Sequence, residues 1–169
     1  SFFTKMKNPL VSIIMPVWIR NDELYDLTNK ALASLRNTIT NDPIETIIID
    51  NASDIGGDQL QKACDICIRN KTNLGYAKAI NQGFKLASGN LIAVANNDIK
   101  VSPNWLIVTE EIFARLPKTG SVHFRMLDYD EERPTSDEVW ATGKERWCSS
   151  SFFVIRREAI TKGAYDEEY

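Results

Sequence analysis

Histidine occurs once in this chain and cysteine three times, which removes several kinds of chemistry at the outset. An odd cysteine count does not make a disulfide framework. The one C-x2-C pair, Cys64 and Cys67, has no second pair to complete a zinc site. A redox C-x-x-C usually opens a helix just after a strand, whereas this pair lies in residues 59–68, which read as helix running into strand. Small core or surface residues are therefore the expectation for both, and a reducing cytosol is the simplest compartment. His123 sits in an apolar, strand-like segment and is expected to be structural, so no nucleophile triad is on offer.

Long hydrophobic runs are also missing. The longest, residues 11–19 and 91–95, are strand-sized and far below the roughly 20 residues that span a bilayer. The opening Ser1-Phe2-Phe3-Thr4-Lys5 lacks the architecture of a signal peptide. A cytoplasmic chain is expected, with membrane contact at most peripheral. The net charge of -3 comes with interspersed signs rather than a basic stripe, so nucleic acid is not the expected partner. No G-x-x-x-x-G-K-[ST] follows the first strand, and no G-x-G-x-x-G does, which removes a P-loop and the usual dinucleotide fingerprint.

What is present is the material of one compact domain: 169 residues, 43% hydrophobic and 25% charged, enough to bury a real core. Residues 10–17 form a nearly continuous apolar run, as a strand buried on both faces requires, with Pro16 expected to stop its ladder bonding. Asn21-Asp22 can cap a helix carrying Leu24, Leu27, Ala31, Leu32 and Leu35 at helical spacing. A second buried strand, 45–49, ends in Asp50-Asn51. A Gly56-Gly57 turn leads to a helix over 59–64 and a third strand over 66–70. Residues 76–87 read as a helix that stops at Ser88-Gly89, where glycine can take a left-handed cap. Residues 91–95 make a fourth strand ending in Asn96-Asn97-Asp98, and Ser102-Pro103 starts another helix.

This β-α-β-α-β-α-β-α order over the first 116 residues predicts a mostly parallel, open, doubly wound α/β sheet with helices on both faces. Beyond Pro117 the pattern weakens. Residues 121–124 and 151–155 read as strands, 128–143 as a polar loop, and 156–160 as a short helix that ends at Gly163.

Ligands of open parallel sheets bind beyond the carboxyl ends of the strands. Three such ends carry suggestive groups: Pro16-Val17-Trp18, Asp50-Asn51-Ala52-Ser53 and Asn96-Asn97-Asp98. Asp50 and Asp98 end strands that could lie side by side. Each residue alone could simply cap the next helix or turn; three coinciding ends argue for a site. Without a glycine nest or basic cluster, a diphosphate would need another counter-charge, and a divalent cation on Asp98 supplies one. Hard oxygen ligands suit Mg2+ or Mn2+.

In this order and spacing, the motifs resemble glycosyltransferase family 2, the GT-A (Rossmann-like) fold, over essentially the whole chain. Val11-Ser12-Ile13-Ile14-Met15-Pro16-Val17-Trp18 is similar to the family's opening strand, and Thr46-Ile47-Ile48-Ile49-Asp50-Asn51-Ala52-Ser53 to its second. The stretch Asn73-Leu74-Gly75-Tyr76-Ala77-Lys78-Ala79-Ile80-Asn81-Gln82-Gly83, followed by Ala87-Ser88-Gly89, resembles its helix motif. Asn96-Asn97-Asp98 stands where the family carries a DXD-type motif. The NND form resembles the branch that includes rhamnosyl- and galactosyl-type transferases.

The resemblance implies a single domain, with residues 1–116 as the nucleotide-sugar half and 117–169 as part of the acceptor side. It implies that Pro16, Val17 and Trp18 line the nucleoside pocket and that Asp50 hydrogen-bonds base or ribose. Asn73 and Gly75 are to pack near the base, Lys78 to stand at the pocket edge and Asn97 to lie at the donor site. Asp98 is to bind the metal, with Asn96 as a neutral helper. The donor is expected to be a UDP- or dTDP-sugar and the acceptor a glycan, lipid-linked or protein group, with inversion at the anomeric carbon.

Inversion needs a carboxylate base for the acceptor hydroxyl. Residues 156–169 resemble the family's acceptor-side segment, in which Asp166 and Glu167 are the candidates present. If the base lies later, the chain is a donor-binding domain without it. A nucleotidyltransferase is a third reading, but it would want a glycine- and basic-rich loop after the first strand, and Arg20 alone does not make one.

Overall fold

The structure is a computed structural model and describes residues 9–124 and 151–160. The apolar run expected to be buried on both faces is β1 (Val11–Val17), and its side chains divide between two cores. Val11, Ile13, Met15 and Val17 join one cluster and Ile14 the other, the alternation that a pleated strand imposes. The other strands are β2 (Ile44–Asp50), β3 (Ile66–Arg69), β4 (Leu91–Ala95), β5 (Ser121–His123) and β6 (Phe152–Arg156). They form one sheet in the order β3-β2-β1-β4-β6-β5. The pairs β1–β2, β1–β4 and β2–β3 are parallel, while β6 is antiparallel to both β4 and β5. The expected α/β class and mostly parallel open sheet are therefore what the chain adopts.

Helices cover both faces. On one side α1 (Asp22–Arg36), α2 (Gly57–Lys62) and α4 (Trp105–Arg115) pack through Leu32, Leu35, Leu60, Trp105, Leu106 and Phe113. On the other, α3 (Tyr76–Leu86) sets Ala79 and Ile80 against Ile47, Ile49, Ile92 and Val94. Asn21 caps α1 as expected, its Oδ1 accepting from Leu24 N at 2.9 Å. Trp105 is buried edge-on against Phe152, 5.1 Å between centroids, and donates its indole N–H to Thr38 Oγ1 at 2.7 Å. Partnered in this way, a large aromatic can sit in a core without leaving a donor unsatisfied.

Several local expectations need correction. Pro16 does not end β1, which pairs with β2 through Val17 and Asp50. Pairing with β4 stops at Ile14 and Val94, so beyond that point β1 and β4 part. The helix expected over 59–64 starts and stops two residues earlier. Gly56 takes φ 79 to start it, and Asp65, bonded to Thr46 through both backbone and side chain, draws the chain into β3. The helix signalled by Ser102-Pro103 begins at Trp105, after a turn in which the Pro103 carbonyl accepts from Ile39 N. Residues 157–159 form a 3₁₀ turn rather than a longer helix. The loop expected over 128–143 and the stop at Gly163 lie outside the described residues.

Gly89 is not a left-handed cap. Among the described residues positive φ occurs only at Ala52, Gly56 and Gly75. Gly89 is small because β1 passes against it: a Cβ there would stand 2.6 Å from Ser12 N and 2.8 Å from the Val11 carbonyl carbon. Its N–H donates to the buried Ser12 hydroxyl at 2.8 Å. Backbone cannot move aside as a side-chain tip can, so Gly89→Ala is expected to cost about 1–3 kcal/mol of stability by overpacking. Urea unfolding followed by circular dichroism measures this, and an unchanged midpoint would contradict it.

Candidate functional site

The direction of the chain reverses around β1: it winds outward through β2 and β3, then returns to lay β4 on the other side. Crevices of open α/β sheets form at such a switch point, beyond the strands' carboxyl ends. A cleft of about 330 Å³ lies there, lined by Pro16 and Val17 of β1, Trp18 just after it, Asn51 after β2, and Asn96 and Asn97 after β4. Leu24 of α1 and Asn73, Gly75 and Tyr76 at the start of α3 complete it. No lining residue carries a formal charge. A cleft of this size, apolar with a few amide groups, is the kind that orients a small ligand.

Asp50 and Asp98 do not come together: their strands flank β1 rather than each other. Asp50 is 1% exposed and lies outside the lining. Its Oδ1 accepts from Ser53 N at 2.8 Å, and its Oδ2 lies 3.4 Å from Arg69 Nε. Arg69 also donates to the Ser53 carbonyl at 3.0 Å, and the Ser53 hydroxyl accepts from Ile19 N at 2.8 Å. Asp50 thus pins a tight turn in which Ala52 is held at φ 63. Its carboxylate lies beneath the cleft, with Oδ1 tied into the turn and Oδ2 buried beside Arg69 without a hydrogen-bond partner among the described residues.

Its neighbour Asn51 faces the cleft. Strand alternation is the signal that separates the two. Asp50 shares the parity of Ile48, in the α1-side core, and Asn51 that of Ile49, in the α3-side core.

The remaining predicted residues distribute as follows. Asn73 and Gly75 form the turn into α3, with Gly75 N donating to Asn73 Oδ1 at 2.9 Å. Gly75 adopts φ 85 and ψ 169, a region open essentially to glycine alone. Trp18 is 45% exposed, with the Arg20 guanidinium 4.9 Å from its ring centroid. Asn96 N donates to the Ser151 carbonyl, and Asn97 Nδ2 to Thr28 Oγ1 at 2.9 Å. Asp98 follows them, exposed at the rim, and Lys78 is exposed in the first turn of α3; both lie outside the lining. Asp166 and Glu167 fall outside the described residues. Leu24, Tyr76 and Asn51 belong to the lining without having been given a site role from the sequence.

The family model of glycosyl transferase family 2 matches residues 12–163. The chain belongs to that family. Solved structures of similar fold include S. aureus TarS 1–349, at 16% identity and a TM-score of 0.64 over 87% of this chain and 47% of that one. Its complex with UDP-GlcNAc gives 18% and 0.59 over 75% and 37%. The mannosyltransferase PcManGT from Pyrobaculum calidifontis, in complex with GDP-Man and Mn2+, gives 18% and 0.63 over 90% and 46%. This family 2 chain therefore spans less than half the length of each of these structures. No curated protein sequence matches it.

Two further sequence features stay outside the site. Cys64 and Cys67 are half-buried and free; burial pushes the Cys64 thiol up to about 12 and raises that of Cys67 too. Such thiols are inert near neutral pH. His123 stacks on Phe153 at 5.0 Å between centroids, far along the sheet from the cleft. Among the described residues no helix is long and apolar enough to cross a membrane.

Because Asp50 holds the turn through a charged hydrogen-bonding set, Asp50→Ala is expected to lower stability by about 2 kcal/mol. Chemical denaturation reads this directly, and a variant as stable as the native chain would refute the structural role.

Proposed function

We propose that this family 2 chain binds a nucleotide sugar in the cleft between β1, β2 and β4 and transfers the sugar to an acceptor hydroxyl. The observation that carries the reading is the juxtaposition at one sheet rim of a neutral, amide-lined cleft and the exposed carboxylate of Asp98. In this reading the base lies between Trp18, whose ring is exposed enough to stack, and Asn51, with Asp50 beneath them as the carboxylate nearest base or ribose. Asn73, Gly75 and Tyr76 close the base side, with Lys78 near the edge. Pro16 and Val17 form the floor, and Asn97 stands on the diphosphate side. UDP- or dTDP-sugars are the proposed donors, in a rhamnosyl- or galactosyl-type branch. UDP-GlcNAc and GDP-Man in the similar structures support a nucleotide-sugar donor.

The residues at the end of β4 fit a divalent cation. Asp98 offers a carboxylate and Asn96 an amide oxygen, both hard donors, and the described residues hold no cluster of three or more His, Cys, Asp or Glu. That donor set suits an ion that keeps several waters and takes its other ligands from phosphate, as Mg2+ and Mn2+ do, rather than a caged metal. The Mn2+ in PcManGT supports the same reading. Bound there, the cation would offset charge on the departing nucleoside diphosphate.

The acceptor is proposed to be a glycan, a lipid-linked sugar or a protein group, met in the cytosol and with inversion. Residues 1–116 supply the donor half and 117–169 part of the acceptor half, where Asp166 or Glu167 would take the hydroxyl proton.

Calorimetric titration of UDP-, dTDP- and GDP-sugars, with and without Mn2+, tests the reading. Losing even an outer-shell partner of a metal typically costs ten- to a hundredfold, so Asp98→Ala should weaken Mn2+-dependent donor binding by at least about tenfold. Binding indifferent to Mn2+ and to Asp98→Ala would overturn the metal assignment. Release of nucleoside diphosphate on adding acceptor separates transfer from donor binding alone.

A further inference from the structure

Behind Asn51 lies a chain of side-chain amides that takes no part in the cleft lining. Asn51 Nδ2 donates to the Gly75 carbonyl at 3.3 Å, and Asn51 Oδ1 accepts from Asn70 Nδ2 at 2.9 Å. Asn70 in turn exchanges two hydrogen bonds with Gln82 of α3, each 2.9 Å, one in each direction. Asn70 is anchored from the other side by its own N–H, which donates to the Asp50 carbonyl at 2.8 Å. Asn51 is only 5% exposed, and its N–H is held by the Val17 carbonyl at 2.8 Å.

The direction of this chain is not arbitrary. A backbone carbonyl can only accept, so the Gly75 end requires the NH2 of Asn51. That turns its oxygen toward Asn70, which must then present its own NH2, and the reciprocal pair with Gln82 uses the remaining donor and acceptor of Asn70. Rotating the Asn51 amide by half a turn would set oxygen against the Gly75 oxygen and NH2 against the NH2 of Asn70. In the observed sense Asn51 keeps one N–H and one lone pair uncommitted. A free amide exchanges donor and acceptor by rotating and so accepts a base edge of either sense; a locked one does not.

We infer that Asn70 and Gln82 are positioning residues that fix the sense of the Asn51 amide and thereby make the cleft discriminate carbonyl-bearing from amino-bearing base edges. The inference rests on the proposed nucleotide-sugar reading. Uracil and cytosine pose the choice with equal shape and charge: uracil sets a carbonyl acceptor beside a ring N–H, and cytosine an amino donor beside a ring acceptor. On the proposed UDP- or dTDP-sugar reading, the lock favours the carbonyl sense.

The test is equilibrium binding of UDP and of CDP, with Mn2+, to the wild-type chain and to Asn70→Asp and Gln82→Met. A well-placed bidentate pair discriminates between bases by a factor that makes UDP about tenfold or more the tighter ligand of the wild type. Asn70→Asp replaces the NH2 facing Asn51 with an acceptor, so the amide is pulled toward opposite senses, and the UDP/CDP ratio should fall to within about twofold of one or invert. Gln82→Met removes one link and should lower the ratio part-way, which also serves if the aspartate variant does not fold. A ratio unchanged in the folded variants, with both affinities falling together, would mean mere structural support and overturn the inference while leaving nucleotide binding intact. A wild type that binds both nucleotides equally overturns it as well. A wild type that binds neither overturns the proposed function beneath it.

Discussion

The placement of β1 between β2 and β4 is the constraint on which the rest of the molecule depends. A strand with apolar side chains on both faces has nowhere to go but the middle of a sheet with helices above and below. Once Val11–Val17 occupies that place, β2 and β4 must run parallel to it on either side, and the carboxyl ends of three strands share one rim. The cleft exists because pairing lasts longer on one side than on the other: β1 follows β2 to Val17 but leaves β4 after Ile14. The close contact of Gly89 with the start of β1 secures the opposite end of the same strand. The site is therefore a by-product of how one strand is buried.

Charge is disposed around this cleft rather than in it. Asp50 lies buried below, its Oδ1 bonded into a turn and its Oδ2 beside Arg69 without a hydrogen bond, while Asp98 stands exposed at the rim. Between them the lining offers amides and aromatic surface. Groups of this kind can orient a polar ring without the desolvation cost of a buried charge. The amide chain through Asn51, Asn70 and Gln82 belongs to the same economy, since every donor in it that faces another protein group has an acceptor opposite.

Much of this was legible in the sequence, for identifiable reasons. The four parallel strands and their helices follow from apolar runs and helical spacing, and the strand ends follow from polar residues placed just after those runs. Asn21 was legible as a cap because its side chain acts on a backbone group three residues away. What was not legible depended on contacts distant in sequence. Gly89 looks like a helix stop until β1 is laid against it. That Asp50 is buried beside Arg69 while Asn51 reaches the cleft lining also depends on tertiary packing, although strict alternation along β2 would have pointed to Asn51. Nothing local singles out Asn70 or Gln82; only the pairing of β2 with β3 and the seating of α3 bring them to Asn51. The position of β6 between β4 and β5 is likewise a matter of tertiary pairing, since periodicity gives strands but not their neighbours.

On the proposed function, the rim formed by β1, β2 and β4 receives the nucleotide. The most direct measurement is a two-dimensional NMR titration of the isotopically labelled chain with UDP and Mg2+. Shift changes are expected to concentrate at Val17, Trp18, Asn51, Gly75, Tyr76, Asn96, Asn97 and Asp98, including the side-chain amide of Asn51. Changes centred instead on the opposite rim, around Ser12, Glu45, Ser88 and Gly89, or no saturable change at all, would contradict it.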